Sequence, residues 1–85
     1  PALVLAPLEG EAVILCQLTS KSIRDNYAIS LDDADFESGG LKQASNLRPN
    51  RLFTADTHII LYRVGNIKKE KLNEVVKAII EIVKA

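Results

Sequence analysis

The chain has no Met and no Trp, one Cys, one His, four Gly and three Pro in 85 residues, and aromatic side chains make up 5% of it. Each scarcity closes off a class of answer. A lone cysteine cannot form an internal disulfide, so the chain is no stapled secreted scaffold, and the lack of a pair favours a reducing compartment. Cys16 lies within the apolar run from Ala12 to Leu18 and reads as core filler. No stretch approaches the roughly 20 apolar residues that span a bilayer, and no signal-peptide pattern is visible. A cytoplasmic protein without a membrane partner is therefore expected. Eleven basic residues balance eleven acidic ones, which argues against a strongly basic nucleic-acid binder but leaves room for a local patch. Two Tyr and two Phe are too scattered for an RNA-stacking platform. The glycine-rich phosphate loops, the zinc-protease motif and the nucleophile elbow are all absent.

What is present fits one small domain. A chain of this length buries only about 60–65% of its unfolded surface, so its stability margin is thin and oligomerisation is expected. The chain starts at Pro1, lacks Met, and opens with PALVLAP inside what reads as a strand. The expectation is a longer native protein with structure upstream of Pro1.

Ala2–Leu5 is a short apolar run closed by Pro7 and the turn Leu8-Glu9-Gly10. Ala12–Leu18 is apolar almost throughout, as expected of a strand buried on both faces in a tightly curled sheet. Tyr27–Leu31 alternates and predicts a half-buried strand. Asp32–Gly40 reads as a loop anchored by Phe36, with Gly39-Gly40 supplying positive φ. Leu41–Leu47 and Arg51–Thr54 read as strand pieces around Arg48-Pro49-Asn50, where Pro49 demands a bulge, bend or edge. Ala55-Asp56 reads as a turn, His58–Val64 as a strong strand, and Gly65-Asn66 as its break. Leu72, Val75, Val76, Ile79, Ile82 and Val83 then follow helical spacing, predicting a C-terminal helix over about 68–84 with Asn66 as N-cap. Several short strands and one helix predict a mainly β protein: a small, strongly bent antiparallel sheet or partly open barrel capped by a helix.

Candidate chemistry is sparse. Thr19-Ser20-Lys21 ends the most apolar strand with two hydroxyls and an ammonium, donors suited to a phosphate. The same tripeptide also ends ordinary strands. Arg48 and Arg51, with Lys42 and Arg63 on neighbouring strands, form a basic patch if they share a face. Asp32, Asp33, Asp35 and Glu37 lack the ligand spacing of a calcium loop and read as solvated. His58 has no Cys or His partner at ligand spacing. It reads as an edge or partner-facing residue, with acid–base work as the sharper alternative.

The order of segments adds more. Pro1-Ala2-Leu3-Val4-Leu5-Ala6-Pro7, the strand ending in Thr19, and Asn46-Leu47-Arg48-Pro49 before a last strand and helix resemble the PemK/MazF family of toxin–antitoxin toxins. The likeness spans essentially all 85 residues, as a single toxin domain shortened at its N-terminus. It departs from the family pattern in lacking the Arg before Pro1 and the first strand, and in having Asn and Pro where the third segment usually carries Gln and Thr or Ser. The resemblance implies an SH3-like small barrel with a C-terminal helix, assembled as a homodimer. It implies a sequence-selective, metal-independent, cofactor-free endoribonuclease toxin that cuts single-stranded mRNA through the substrate's own 2′-hydroxyl and inhibits growth. It also implies a cognate antitoxin, and contact with operator DNA only through that antitoxin. On this reading Thr19 is catalytic, hydrogen-bonding the developing phosphorane oxygens, and Ser20, Lys21, Asn46 and Arg48 contact RNA. The alternative is a catalytically impaired barrel that binds an antitoxin or dimer partner without RNA turnover. A gyrase-poisoning toxin ranks third, because the helix ends Glu81-Ile82-Val83-Lys84-Ala85 without an aromatic.

Overall fold

The computed structural model describes residues 1–85 and is built outward from the apolar run that begins at Ala12. That run forms β2 (Ala12–Thr19), flanked by antiparallel β1 (Ala2–Pro7) on one side and β5 (Ser45–Asp56) on the other. β3 (Ile29–Leu31) pairs with the first residues of β5, giving the sheet order β1-β2-β5-β3. A separate two-stranded ribbon joins β4 (Phe36–Gly39) to β6 (Gly65–Ile67). The chain ends in α1 (Lys69–Lys84). The fold is mainly β, a curled half-barrel sheet with one C-terminal helix, as the sequence predicts. No helix is long and apolar enough to cross a membrane.

The curl explains the unbroken hydrophobicity of β2. On a regular strand adjacent residues face opposite ways, yet neighbours Leu15 and Cys16 are both buried. The register supplies the reason. Cys16 lies opposite Leu52, but Gln17 lies opposite Arg48, so Pro49, Asn50 and Arg51 bulge out of the ladder. β1 shifts register as well, between Val4 and Ala6. Bulges bend strands and sharpen their twist, wrapping β2 so that both of its faces meet side chains. Pro49 occupies the bulge, where its missing N–H costs no ladder bond. The expected interruption is thus a bulge, and β5 continues through it to Asp56, with no turn at Ala55-Asp56.

Cys16, Leu18, Ile29, Leu31, Leu47 and Val75 form the core, with Leu3, Leu5, Phe36, Ile67 and Ile79 packed around it. Phe36 is the anchor expected of it, but its segment is no plain loop. Asp32 and Asp35 form a reciprocal capping box around a 3-10 turn at Asp33–Asp35, and β4 follows. Gly39 takes φ +69 where a side chain would collide with the Val64 carbonyl, so glycine is required for β4 and β6 to approach.

Helix α1 is the element that hydrophobic periodicity predicts. Val75 is buried, whereas Val76 and Val83 are exposed, so only part of the apolar stripe faces this core. Lys68, not Asn66, is the N-cap, and it makes no side-chain capping bond; Gly65-Asn66 belong to β6. Lys71 holds the helix to the sheet. Its Nζ donates to the Ser30 carbonyl at 3.1 Å and pairs with Glu74 at 3.0 Å and Asp35 at 3.6 Å. Burial works against this ammonium's charge, but Glu74 and then Asp35 more than offset that and hold its pKa above the ordinary lysine value.

Other strand boundaries move. Tyr27 and Ala28 stay outside β3, and Leu41–Ala44 stay outside β5. The largest correction concerns His58–Val64, which is not a strand. Thr57–Ile59 form a 3-10 turn and Ile60–Val64 have no regular structure. Strand propensity needs a partner ladder to satisfy its backbone, and this segment has none within the chain. Ile59, Leu61 and Tyr62 stand in solvent, Leu61 with 88% exposure. Ten of the 85 residues are buried, so each core side chain weighs heavily. Leu47 is fully buried, and Leu47→Ala should destabilise the chain by about 2–5 kcal/mol, read as a lower urea midpoint.

Candidate functional site

The end of β2 sets one face of the sheet apart. Leu18 pairs with Leu47 on the core side, so the next pair, Thr19 with Asn46, points the other way. Ser30 lies across from Asn46 on β3, and Gln17 pairs with Arg48 one step further along this face. Strand alternation thus gathers five polar residues behind an apolar core.

Thr19, Lys21 and Asn46 come together directly. The Lys21 backbone N–H donates to Thr19 Oγ1 at 3.2 Å, and Asn46 Nδ2 donates to the Lys21 carbonyl at 3.3 Å. With its oxygen accepting, the Thr19 hydroxyl hydrogen is free to donate outward. Ser20 and the Lys21 side chain stand exposed beside it. The patch therefore offers a hydroxyl, an amide and an ammonium, all donors. It suits an anion, and it lacks the convergent carboxylates or imidazoles that would hold a metal.

Arg48 is on this face but already engaged. Its Nη2 lies 2.9 Å from Asp25 Oδ2, and its side chain is only 18% exposed. Asp25 also accepts from the backbone N–H groups of Tyr27 and Ala28 and, at 3.5 Å, from Asn50 Nδ2. The Tyr27 N–H above all, and then Arg48, hold the Asp25 carboxyl below its usual range despite partial desolvation. Asp25 thereby ties the connection between β2 and β3 across the sheet. Beneath it, Gln17 Oε1 and Arg48 Nε are buried without a hydrogen-bond partner. Asp25 and Gln17 are the residues that sequence reading missed. Asp25 carries only the look of a turn residue in a polar connection, and nothing local announces a partner 23 positions away.

The wider basic patch does not assemble on neighbouring strands. Lys42 lies in the bend before β5 and Arg63 in the irregular segment before β6. Of the acidic loop, Asp32 and Asp35 make the capping box and Asp35 also pairs with Lys71, while Asp33 and Glu37 stand solvated as expected. A groove of about 490 Å³ lies between Tyr27, Ile29, Pro49 and the Ala78–Ile82 side of α1, and none of the sequence-predicted site residues lines it. Burial raises the Cys16 thiol above its ordinary value, against a smaller lowering by the Arg48 backbone, so it remains a core side chain.

Residues 1–83 match the family model described as a PemK-like, MazF-like toxin of type II toxin–antitoxin systems. No curated protein matches the chain.

The Asp25 tether makes a pH prediction. A carboxyl whose pKa is lower in the folded chain contributes stability above its unfolded value, about 3.9, and loses it as pH falls through the lowered folded value. Asp25→Asn should therefore lower the urea midpoint at pH 7, and the gap to wild type should close below about pH 4.

Proposed function

The chain belongs to the PemK/MazF-like toxin family of type II toxin–antitoxin systems, and on that premise we propose that it is a sequence-selective endoribonuclease acting on single-stranded mRNA in the cytoplasm. The observation that carries this reading is the strand-end patch at Thr19, where a free hydroxyl hydrogen stands beside Lys21 and Asn46. In the proposed reaction the substrate's 2′-oxygen attacks the adjacent phosphorus and the 5′-oxygen leaves, giving a 2′,3′-cyclic phosphate and a 5′-hydroxyl end. The 2′-hydroxyl loses its proton to solvent water and the leaving 5′-oxygen takes one from solvent, because the patch holds donors and no general base. Thr19 donates to a non-bridging oxygen as negative charge builds there. Lys21 and Ser20 contact flanking phosphates, and Asn46 positions Lys21 through its carbonyl. Arg48 joins the RNA contacts by exchanging Asp25 for a phosphate, the same bidentate-capable chemistry on another anion. The chain's part in this scheme is charge stabilisation by its donors, and the scheme calls on no metal.

One observation favours the alternative, a barrel that binds an antitoxin without turning over RNA. The Arg48–Asp25 pair leaves Lys21 as the unpaired cation at Thr19. A cleavage assay separates the two. Long single-stranded RNA with chelator present should be cut at discrete sites, with Thr19→Ala slowed by about 10²–10³-fold and Thr19→Ser largely active. A folded wild type that leaves the RNA intact supports the binding scaffold instead.

The proposed assembly is a homodimer that meets the antitoxin. β3 covers β5 only over Ser45–Leu47, so the outer edge of β5 beyond Leu47 is unpaired. Leu52 and Phe53 on β5, and Ile59, Leu61 and Tyr62 in the segment that follows it, stand exposed. An open strand edge beside an apolar patch invites pairing. Sedimentation equilibrium should give a dimer for wild type and a monomer with unchanged circular dichroism for Leu61→Asp.

A further inference from the structure

We propose that Glu11 and His58, with Asp56 behind the imidazole, form a binding site for a divalent transition-metal ion such as Zn²⁺. The three come from two distant stretches of sequence. Glu11 sits in the turn before β2, and Asp56 ends β5 and caps the Thr57–Ile59 turn that holds His58. Backbone contacts fix their approach. Ala12 pairs with Asp56 across the strands, and the Thr57 N–H donates to the Glu11 carbonyl at 2.7 Å. The donor atoms of all three residues lie within 4.8 Å of one another.

Both ring nitrogens of His58 face a carboxylate. Asp56 Oδ1 accepts the His58 backbone N–H at 2.9 Å and stands 3.1 Å from Nδ1. In the tautomer with its hydrogen on Nδ1, toward Asp56, the ring presents its lone pair on Nε2. Nε2 faces Glu11 Oε2 at 3.3 Å. Two acceptors facing each other repel unless a positive charge lies between them. That charge is a proton or a metal ion. The spacing equals the bite of two ligands on tetrahedral zinc, about 3.3–3.5 Å for bonds near 2.0–2.1 Å. A carboxylate on the far ring nitrogen is the outer partner that metal-bound histidines use to set tautomer and ring orientation. Nitrogen with carboxylate oxygen suits zinc, nickel, copper or cobalt better than magnesium.

The site is at the opposite end of β2 from Thr19, so it serves structure and not RNA chemistry. It clips the β1–β2 turn to the end of β5, immediately before the exposed Ile60–Val64 segment. Bound metal should steady that segment where it leaves the sheet.

The sequence makes the test clean. His58 is the chain's only histidine and Cys16 its only cysteine, and Cys16 is buried. Calorimetric titration of tag-free protein with ZnCl₂ should show one saturable site per chain and a raised melting temperature. His58→Ala should abolish both, and Glu11→Gln should weaken binding at least tenfold. Asp56→Asn should weaken it about 10–100-fold. MgCl₂ should not compete at equal concentration. Each variant is a surface change, and circular dichroism verifies its fold. The proposal is overturned if zinc fails to saturate by millimolar concentration, if His58→Ala binds as wild type does, or if MgCl₂ displaces zinc at parity. Chelator-resistant RNA cleavage by His58→Ala bears only on the separate Thr19 reading.

Discussion

The pairing of β2 with β5 governs the rest of the molecule. It joins residues that lie roughly thirty to forty-five positions apart, as in Thr19 with Asn46 and Ala12 with Asp56, and it fails at one place only, the bulge around Pro49. Leu15 and Cys16 are neighbours on β2 and face opposite ways, so a flat ladder would leave one of them toward solvent. The curl at the bulge covers both, Cys16 in the core and Leu15 on the other face. It also fixes which side of the sheet stays polar at the Thr19 end.

The candidate site follows from that constraint. Thr19 shares a face with Asn46 because Leu18 must face Leu47. Lys21 stays close because Thr19 and Asn46 each hold its backbone. Asp25 reaches over the same face and holds Arg48, an internal anion on a surface suited to external ones. At the far end of the same two strands, Glu11 and Asp56 converge on His58. The two ends of one ladder thus carry opposite chemistry, donors for an anion at one end and acceptors for a cation at the other.

Much of this was legible in the sequence. The helix showed in its period, β2 in its unbroken apolar run, Cys16 and Phe36 as buried or packed side chains, and Pro49 as a disruption. The family resemblance, set by the opening segment and the Thr19 strand end, agrees with the match over residues 1–83. What failed has a common cause. His58–Val64 has the composition of a strand, but a strand exists only with a neighbour to bond, and composition does not reveal one. The Asp25–Arg48 pair and the Glu11–Asp56–His58 group were invisible for the same reason: long-range register decides them, and a bulge shifts that register. The Asp32–Gly40 loop proved partly ordered because its acids cap their own turn, a reciprocal Asp32–Asp35 arrangement that an acidic count alone reads as solvation.

On the proposed reading, RNA meets this fold at the end of β2. The most direct measurement is amide chemical-shift mapping of the isotope-labelled chain with a short single-stranded RNA, made uncleavable by 2′-deoxy substitution. The largest shifts should fall on Thr19, Ser20, Lys21 and Asn46, with Asp25 and Arg48 moving as their pair opens. Shifts confined to the groove between Tyr27, Pro49 and α1, or none at saturating RNA, would rule out the end of β2 as the RNA site.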